Sequence, residues 1–435
     1  MTTIALTLTA GCGSGSDDST GVTTAADATT LPAEPAASEA DATTPPADET
    51  RVALVFVGHG EPVHVADGDV PISFPDGSEF GPHGASLGAP VEMQHTEWAA
   101  AYDEIAMAMT YMFPDVNNNG VEHEMEISPA GDVPPFFTWE AFHDEVIEIY
   151  ESFGDYSPHN DRIAEHVAAV DVAFDGADVV THLAFLDAVP RIPDVMWDIA
   201  QAGDYDAVAV VPLLLATSTH TQEVEDQIEE VAALVGGLDV VVTPPFYEVP
   251  EMRAHVKNAV VNMATELRAS VPDDASDELI GVVLAAHGTP YVPADPSAGW
   301  KEGEIFSNLG PTEDEFHDEI AAELHWTTRT GRMNYDEPSI EESLSAFEAD
   351  GIEHVLVVPS AFPTPAMHTM YDVATPAVGR PVTPDEGVVV VERPSGMHVY
   401  YCADGYADLD VGRDEFRAGL TFIAQRGVET VLGQS

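Results

Sequence analysis

Beyond residue 50, two hydrophobic patterns alternate along this chain. Continuous apolar runs rich in β-branched residues fall near 52–58, 178–185, 207–214 and 238–243, and again near 279–286, 353–359 and 387–393. Runs this long without polar alternation suit strands covered on both faces, which points to parallel pairing. Apolar positions at three- and four-residue spacing predict helices near 93–112, 159–174, 190–203, 219–235 and 250–269, then near 312–328, 338–350 and 410–426. The alternation is the βαβ signature of a doubly wound α/β sheet. A polar stretch, SVPDDASDE, separates the pattern into two α/β halves, 51–272 and 279–435.

The two halves repeat one another. VALVFVGHGEP at 52–62 matches IGVVLAAHGTP at 280–290, which makes His59 equivalent to His287. YDAVAVVPLLLATSTH, ending at His220, matches IEHVLVVPSAFPTPAMH, ending at His368. Each member of the second pair is a buried strand, Val-Val-Pro, a loop and a histidine that opens a helix. Two features in the same order imply duplication of one α/β unit, with an insertion near 61–160 in the first copy.

Residues 13–50 lack large apolar side chains and are rich in Ser, Thr, Ala, Pro, Asp and Glu, so they read as a disordered acidic linker. Before them, residues 1–12 form a short apolar stretch with small residues ahead of Cys12. This reads as a lipoprotein signal in which Cys12 is lipidated, giving an exported protein anchored to the outer face of the cell membrane. If Cys12 is incidental, the protein is cytoplasmic. No later segment is apolar enough to cross a bilayer, so the only membrane contact expected is the lipid anchor. Asp and Glu number 77 against 14 Lys and Arg, a net charge of -63, which excludes nucleic acid as a partner. Because the acids are spread over the whole chain, they read as a solvated coat suited to halophilic conditions, where salt screens self-repulsion. The two cysteines, Cys12 and Cys402, are too few for a disulfide framework or a thiolate zinc site, and Cys402 reads as a buried thiol.

In open parallel sheets, ligands bind at the carboxyl ends of strands, and His59, His220, His287 and His368 all fall at such ends. Neutral imidazoles ligate divalent iron, cobalt, nickel or zinc, and they also accept protons near neutral pH.

On these motifs the chain resembles the class II tetrapyrrole chelatases, namely ferrochelatase and the sirohydrochlorin cobaltochelatases. AAHGTP resembles the ferrochelatase Ser-Ala-His-x-x-Pro segment, and the resemblance gives His287 a role in metal binding and pyrrole deprotonation. TTRTGRMNYDEP resembles its Gln-Ser-x-x-Gly-x-x-x-Trp-x-x-Pro segment, with Gly331 and Pro338 kept and Tyr335 in place of the tryptophan. His368 stands where ferrochelatase has a glutamate, ahead of Thr369, Met370, Tyr371 and Asp372. A strand-end histidine with an acid four residues later is closer to the cobaltochelatase pattern.

The resemblance implies a lyase-type chelatase that inserts iron, cobalt or nickel into a tetrapyrrole such as protoporphyrin or sirohydrochlorin, without a nucleotide. His287, His368 and Asp372 would be catalytic, and His59 and His220 a second metal-binding pair, either the true site or a relic. Arg329, Arg332, Tyr335 and Tyr371 would contact the macrocycle, with Arg380 a further candidate for its propionates. The alternative is a surface lipoprotein that binds metal or haem without turnover. A separate candidate is DVNNNGVEHEME, where Asp115, Asn117, Asn119 and Glu126 fit the spacing of a calcium loop and an Asn-Gly turn fits equally. His64, His83, His95 and His123 in the insertion read as solvent-facing loop residues, and Met107, Met109 and Met112 as core.

Overall fold

A computed structural model describes residues 50–61, 149–154, 156–174, 176–186, 190, 192–235, 238–288, 309–333 and 338–433. Cys12, the calcium-like loop with Asp115, Asn117, Asn119 and Glu126, the helix expected near 93–112 and Tyr335 lie outside the described residues.

The first half contains β1 (Thr50–Gly58), α1 (His159–Ala168), β2 (Ala177–Phe185), α2 (Ile192–Ala202), β3 (Ala207–Pro212), α3 (Thr219–Val235), β4 (Asp239–Val242) and α4 (Pro250–Arg268). The second contains β5 (Ile280–Ala286), α5 (Leu309–Glu323), β6 (Thr327–Arg332), α6 (Ile340–Asp350) and β7 (His354–Val358). After β7 come a π-helical turn (His368–Val373), α7 (Ala374–Val378), β8 (Val389–Glu392), β9 (His398–Tyr401) and α8 (Asp410–Val431).

The sheets run β2-β1-β3-β4 and β6-β5-β7-β9-β8, with every pairing parallel except β8 with β9. The repeat seen in the sequence is therefore a repeat of topology, with one antiparallel edge strand added to the second copy.

One strand, β6, was not expected, and a second, β9, falls where the apolar Tyr400, Tyr401 and Cys402 read as a strand-like run. β6, Thr-Thr-Arg-Thr-Gly-Arg, lies where helix 312–328 was expected to end; it is an edge strand, so its polar residues do not show the apolar run of a central one. β9 pairs with β8 after a short turn. Helix 159–174 stops at Ala168.

Alternate residues of β1 explain the layers. Val52, Leu54 and Phe56 face a central core, and Ala53, Val55 and Val57 face α2 and α3; all six are fully buried. The central core also takes Val282 and Leu284 of β5, Met252, Val256 and Val260 of α4, and Phe416, Leu420 and Ile423 of α8. α8, the last helix of the second half, packs on β3 and β4 of the first sheet, while α4, from the first half, packs on β7 of the second. A bond of 2.7 Å between His255 of α4 and Glu415 of α8 joins the two helices. Each half thus lends its terminal helix to the other, and the two share one core.

The exchange brings the loop after β9 onto the loop after β7. Tyr406 N–H donates to the Phe362 carbonyl (3.1 Å) and Ala407 N–H to that of Pro363 (2.8 Å). A Cβ at Gly405 would lie 2.2 Å from both Pro363 C and Thr364 N, which are backbone atoms and cannot rotate away. Gly405→Ala should therefore cost about 1–3 kcal/mol of overpacking, read as a lower urea midpoint. An unchanged midpoint would show that the loop yields.

Candidate active site

β1 and β5 deliver their histidines in the same way. His59 follows β1 and His287 follows β5, and each precedes a glycine at φ 79° (Gly60) or 80° (Gly288), a left-handed conformation that reverses the chain. His59 Nδ1 donates to the Gly60 carbonyl at 2.8 Å and His287 Nδ1 to the Gly288 carbonyl at 2.9 Å. Since a carbonyl only accepts, each Nδ1 carries the proton and each Nε2 carries the lone pair.

The partners come from the helix starts after β3 and β7. His59 and His220 stand edge to face with ring centroids 4.6 Å apart, and His287 and His368 likewise at 5.7 Å. Two imidazoles sharing one ion at about 2 Å from each nitrogen have centroids roughly 4.5–6.5 Å apart, depending on the angle at the metal. Both pairs fall in that range. Among the described residues, no three His, Cys, Asp or Glu side chains converge as a metal site. Phe362 packs beside both rings of the second pair, at 6.3 Å from His287 and 5.4 Å from His368.

The two rings of the second pair are pushed in opposite directions. Burial, then the neighbouring charge of His368, lowers His287 to about 3, with smaller contributions of the same sign from His220 and His59. Burial also pulls His368 down, but its bond to Asp372 (Nδ1 to Oδ2, 2.6 Å), that carboxylate's charge and Glu61 outweigh it, so its pKa is raised. One imidazole is held neutral while its neighbour is made a better proton acceptor. Because His287 responds to His59, His220 and His368, the two pairs occupy one chamber between the halves.

Several residues of this chamber were not singled out from the sequence. His159, opening α1, bonds Thr364 Oγ1 at 2.8 Å across the two halves; burial and the charges of His59 and His368 lower it to about 3. Glu61 accepts Met367 N–H at 3.2 Å on each oxygen, just ahead of His368, and also the Ser157 hydroxyl. Asn160 grips the Glu61 backbone by its N–H (3.1 Å) and its carbonyl (2.8 Å). Burial raises the Glu61 carboxyl to about 8, against the opposing pull of His368 and Met367 N–H. Its position as the variable residue of the first His-Gly-x-Pro was the one signal the sequence offered.

Glu313 of α5 is fully buried and accepts the backbone N–H groups of His287 (3.1 Å) and Gly288 (3.2 Å). His317, one turn on, is lowered to about 3 by burial and then by Arg332. Ser360 Oγ donates to the Ala285 carbonyl (3.0 Å), so it accepts from His317 Nε2 (2.8 Å), and Thr330 Oγ1 donates to Nδ1 (3.0 Å). This chain of bonds ties α5, β6 and the loop after β7 to the end of β5.

The expected macrocycle contacts divide. Arg332 ends β6 in register with Ala286, beside His287, and pairs with Asp314. Arg329 pairs with Val283, four residues before His287 or roughly 13 Å down the strand, where it bonds Asp350 at 2.7 Å and lies over the Phe347 ring. Arg380 is held by both oxygens of Glu386 (3.0 and 2.7 Å). Tyr371 follows His368 on the π-helical turn and is half-buried.

Burial raises Glu313 to about 7, against the two N–H groups and Arg332. A carboxyl raised in the folded state adds stability that is whole below its unfolded pKa near 4.5 and is lost as pH rises through 7. Glu313→Gln cannot ionise, so its stability relative to wild type should improve between pH ~4.5 and ~7 by up to about 1.4 kcal/mol per pH unit. Urea titrations of both proteins across that range check the slope, and a flat difference would refute it.

A sequence profile of the ferrochelatase family matches residues 139–393, more than half of the chain. A coproporphyrin III ferrochelatase of Leifsonia xyli subsp. xyli (strain CTCB07) is 24% identical over 313 residues, 67% of this chain and 79% of that protein. Among solved structures, SirB from Bacillus subtilis with Fe3+ is 16% identical at TM-score 0.35, covering 71% of this chain and 77% of its own. The sirohydrochlorin chelatase SirB from Bacillus subtilis subspecies spizizenii, in complex with cobalt, is 14% identical at TM-score 0.38, covering 88% and 98%. A multi-domain protein of Deinococcus radiodurans with structural similarity to chelatases is 12% identical at TM-score 0.36, covering 87% and 55%. With its strand-end histidines on duplicated α/β units and the profile match across most of both, the chain belongs to the ferrochelatase family.

Proposed function

We propose that the protein is a chelatase that inserts a divalent metal ion into a tetrapyrrole, working through His287 and His368. The supporting observation is the pairing of one neutral and one proton-accepting imidazole 5.7 Å apart at the end of β5 and the start of the helix after β7. His287 stays unprotonated across the physiological range, so its Nε2 is ready for the incoming ion, and divalent iron, cobalt and nickel all suit an imidazole donor. His368 takes a pyrrole N–H proton as the ion enters the ring, and the Asp372 carboxylate stabilises the imidazolium that results. Glu313 fixes the His287 loop and Glu61 the start of the His368 helix. His59 and His220 offer a second two-nitrogen anchor in the same chamber.

A protein that only captures metal or haem needs no proton acceptor, so the Asp372–His368 bond favours turnover. Mixing purified protein with ferrous, cobalt or nickel ions and either coproporphyrin III or sirohydrochlorin separates the two readings. Catalysis gives many equivalents of metallated ring per protein, and capture stops at stoichiometry.

His287→Ala and His368→Ala should each lower the insertion rate about 10²–10⁴-fold while leaving the fold intact by circular dichroism. Wild-type rates from either variant would sink the assignment. The pH profile gives an independent check. His368 accepts a proton only when deprotonated, so the rate should rise with pH through a value above the ordinary histidine 6.5. Asp372→Asn removes the partner that holds this pKa up, so the rise should move to lower pH. A profile that does not move would place the titrating group elsewhere.

A further inference from the structure

At the amino-terminal edge of the second sheet, the end away from the histidine chamber, three strands set ionisable side chains in one row. His354 opens β7 and His398 opens β9, and the two are direct partners in the parallel ladder. Glu392 of β8 is the partner of His398 on the other side. Directly paired residues share a face of the sheet, so both imidazoles lie on the face whose Leu356, Val358 and Tyr400 belong to the central core. Their rings stack, with centroids 5.6 Å apart and planes 27° from parallel. His354 is buried, and its Nδ1 bonds the Tyr400 hydroxyl at 3.0 Å.

α4 packs on β7, and its last residue, Arg268, acts electrostatically on both His354 and Tyr400. Arg268 is itself steadied by the Val271 carbonyl (3.3 Å) and by Asp277 (3.8 Å), just ahead of β5. A proton on His354 would therefore sit in a buried position against a second imidazole and a guanidinium. Burial, then the charges of His398 and Arg268, hold its pKa below the ordinary 6.5, against the pull of Glu353 and Asp274.

We propose that His354, stacked on His398, is an acid-sensitive catch, and that a proton taken up there releases the end of α4 from β7. Because α4 is one of the two helices exchanged between the halves, the catch ties their docking to pH. The inference goes beyond the chelatase reading and does not rest on it, since these residues lie at the opposite end of the sheet from the chamber. The docked state binds this proton less readily than the open one. Protection of the helix end is therefore whole above about pH 6.5 and is lost below it, by up to about tenfold per pH unit.

Other buried histidines, His159, His287 and His317, are lowered to about 3 and also resist protons, so a local readout is needed. Hydrogen exchange of the full-length protein, followed by mass spectrometry and corrected for the intrinsic effect of pH on exchange, supplies it. Between about pH 7.5 and about pH 5.5, either side of the histidine value, peptides over 258–271 should lose protection severalfold, at most about tenfold, and more than peptides from α8. His354→Gln takes up no proton, so in that variant the end of α4 should lose no more than α8 does. No loss in wild type, an equal loss in α4 and α8, or the wild-type loss persisting in His354→Gln overturns the proposal. His398→Asn keeps His354 and removes one of the opposing charges, so the α4 loss should shrink. An undiminished loss there overturns the proposal too, and this variant decides alone if His354→Gln does not fold.

Discussion

The structure depends on the exchange of terminal helices between its two halves. A doubly wound sheet must cover both faces with helices, yet the first half places α2 and α3 on the outer face of its own sheet and only α1 on the inner face, the rest of which α8 covers. The second half is in the reciprocal position, with α6 and α7 outside and α4 within. Neither inner face is buried unless both helices sit between the sheets. Apolar burial therefore sets the relative position of the halves, a non-directional force producing a directional result. With the sheets fixed in that way, the ends of β1 and β5 open toward one chamber, and histidines far apart in sequence act on each other.

Within the chamber, environment makes chemically identical side chains unequal. His287 is buried and crowded by three other imidazoles, so adding a proton to it is costly even though its Nδ1 is bonded to a carbonyl. His368 sits in the same low-dielectric surroundings but has a carboxylate 2.6 Å away, which compensates its charge. The i to i+4 spacing that brings Asp372 to His368 lies on a π-helical turn, a form that recurs at functional sites because it widens the helix locally. Glu61 then reaches over from the first half to bond the backbone just before His368, so a histidine in one copy of the repeat is positioned by the other.

The legible part of this arrangement is the part carried by local patterns. Buried parallel strands show as unbroken apolar runs, and a strand-end His-Gly repeated at 59 and 287 marks a duplicated unit without any knowledge of the fold. What stayed hidden was set by tertiary contacts. β6 is polar because it is an edge strand, so neither its apolar content nor its periodicity announced it. Glu313 and Glu61 are two among 77 acids, and nothing local separates a carboxyl that caps a buried loop from one in the solvated coat. His159 reads as the start of a helix until Thr364, from the other half, comes to bond it. Arg329 was expected at the macrocycle as one of the few basic residues of the chain, yet strand register puts it on the far part of β6, against Phe347 and Asp350.

Scarcity of cations completes the picture. In a chain of net charge -63, each arginine lies in a field that attracts it strongly, and the acids of its own surroundings compete with any ligand. The Arg51 guanidinium is shared between Asp178 and Asp204 at the start of β1, and Arg393 bridges Glu341 and Glu348 on α6. Such pairs relieve local repulsion where strands and helices would otherwise crowd like charges, so these cations serve the fold. Among the described residues, the side chains gathered at the histidine site itself are imidazoles, those of His59, His159, His220, His287 and His368.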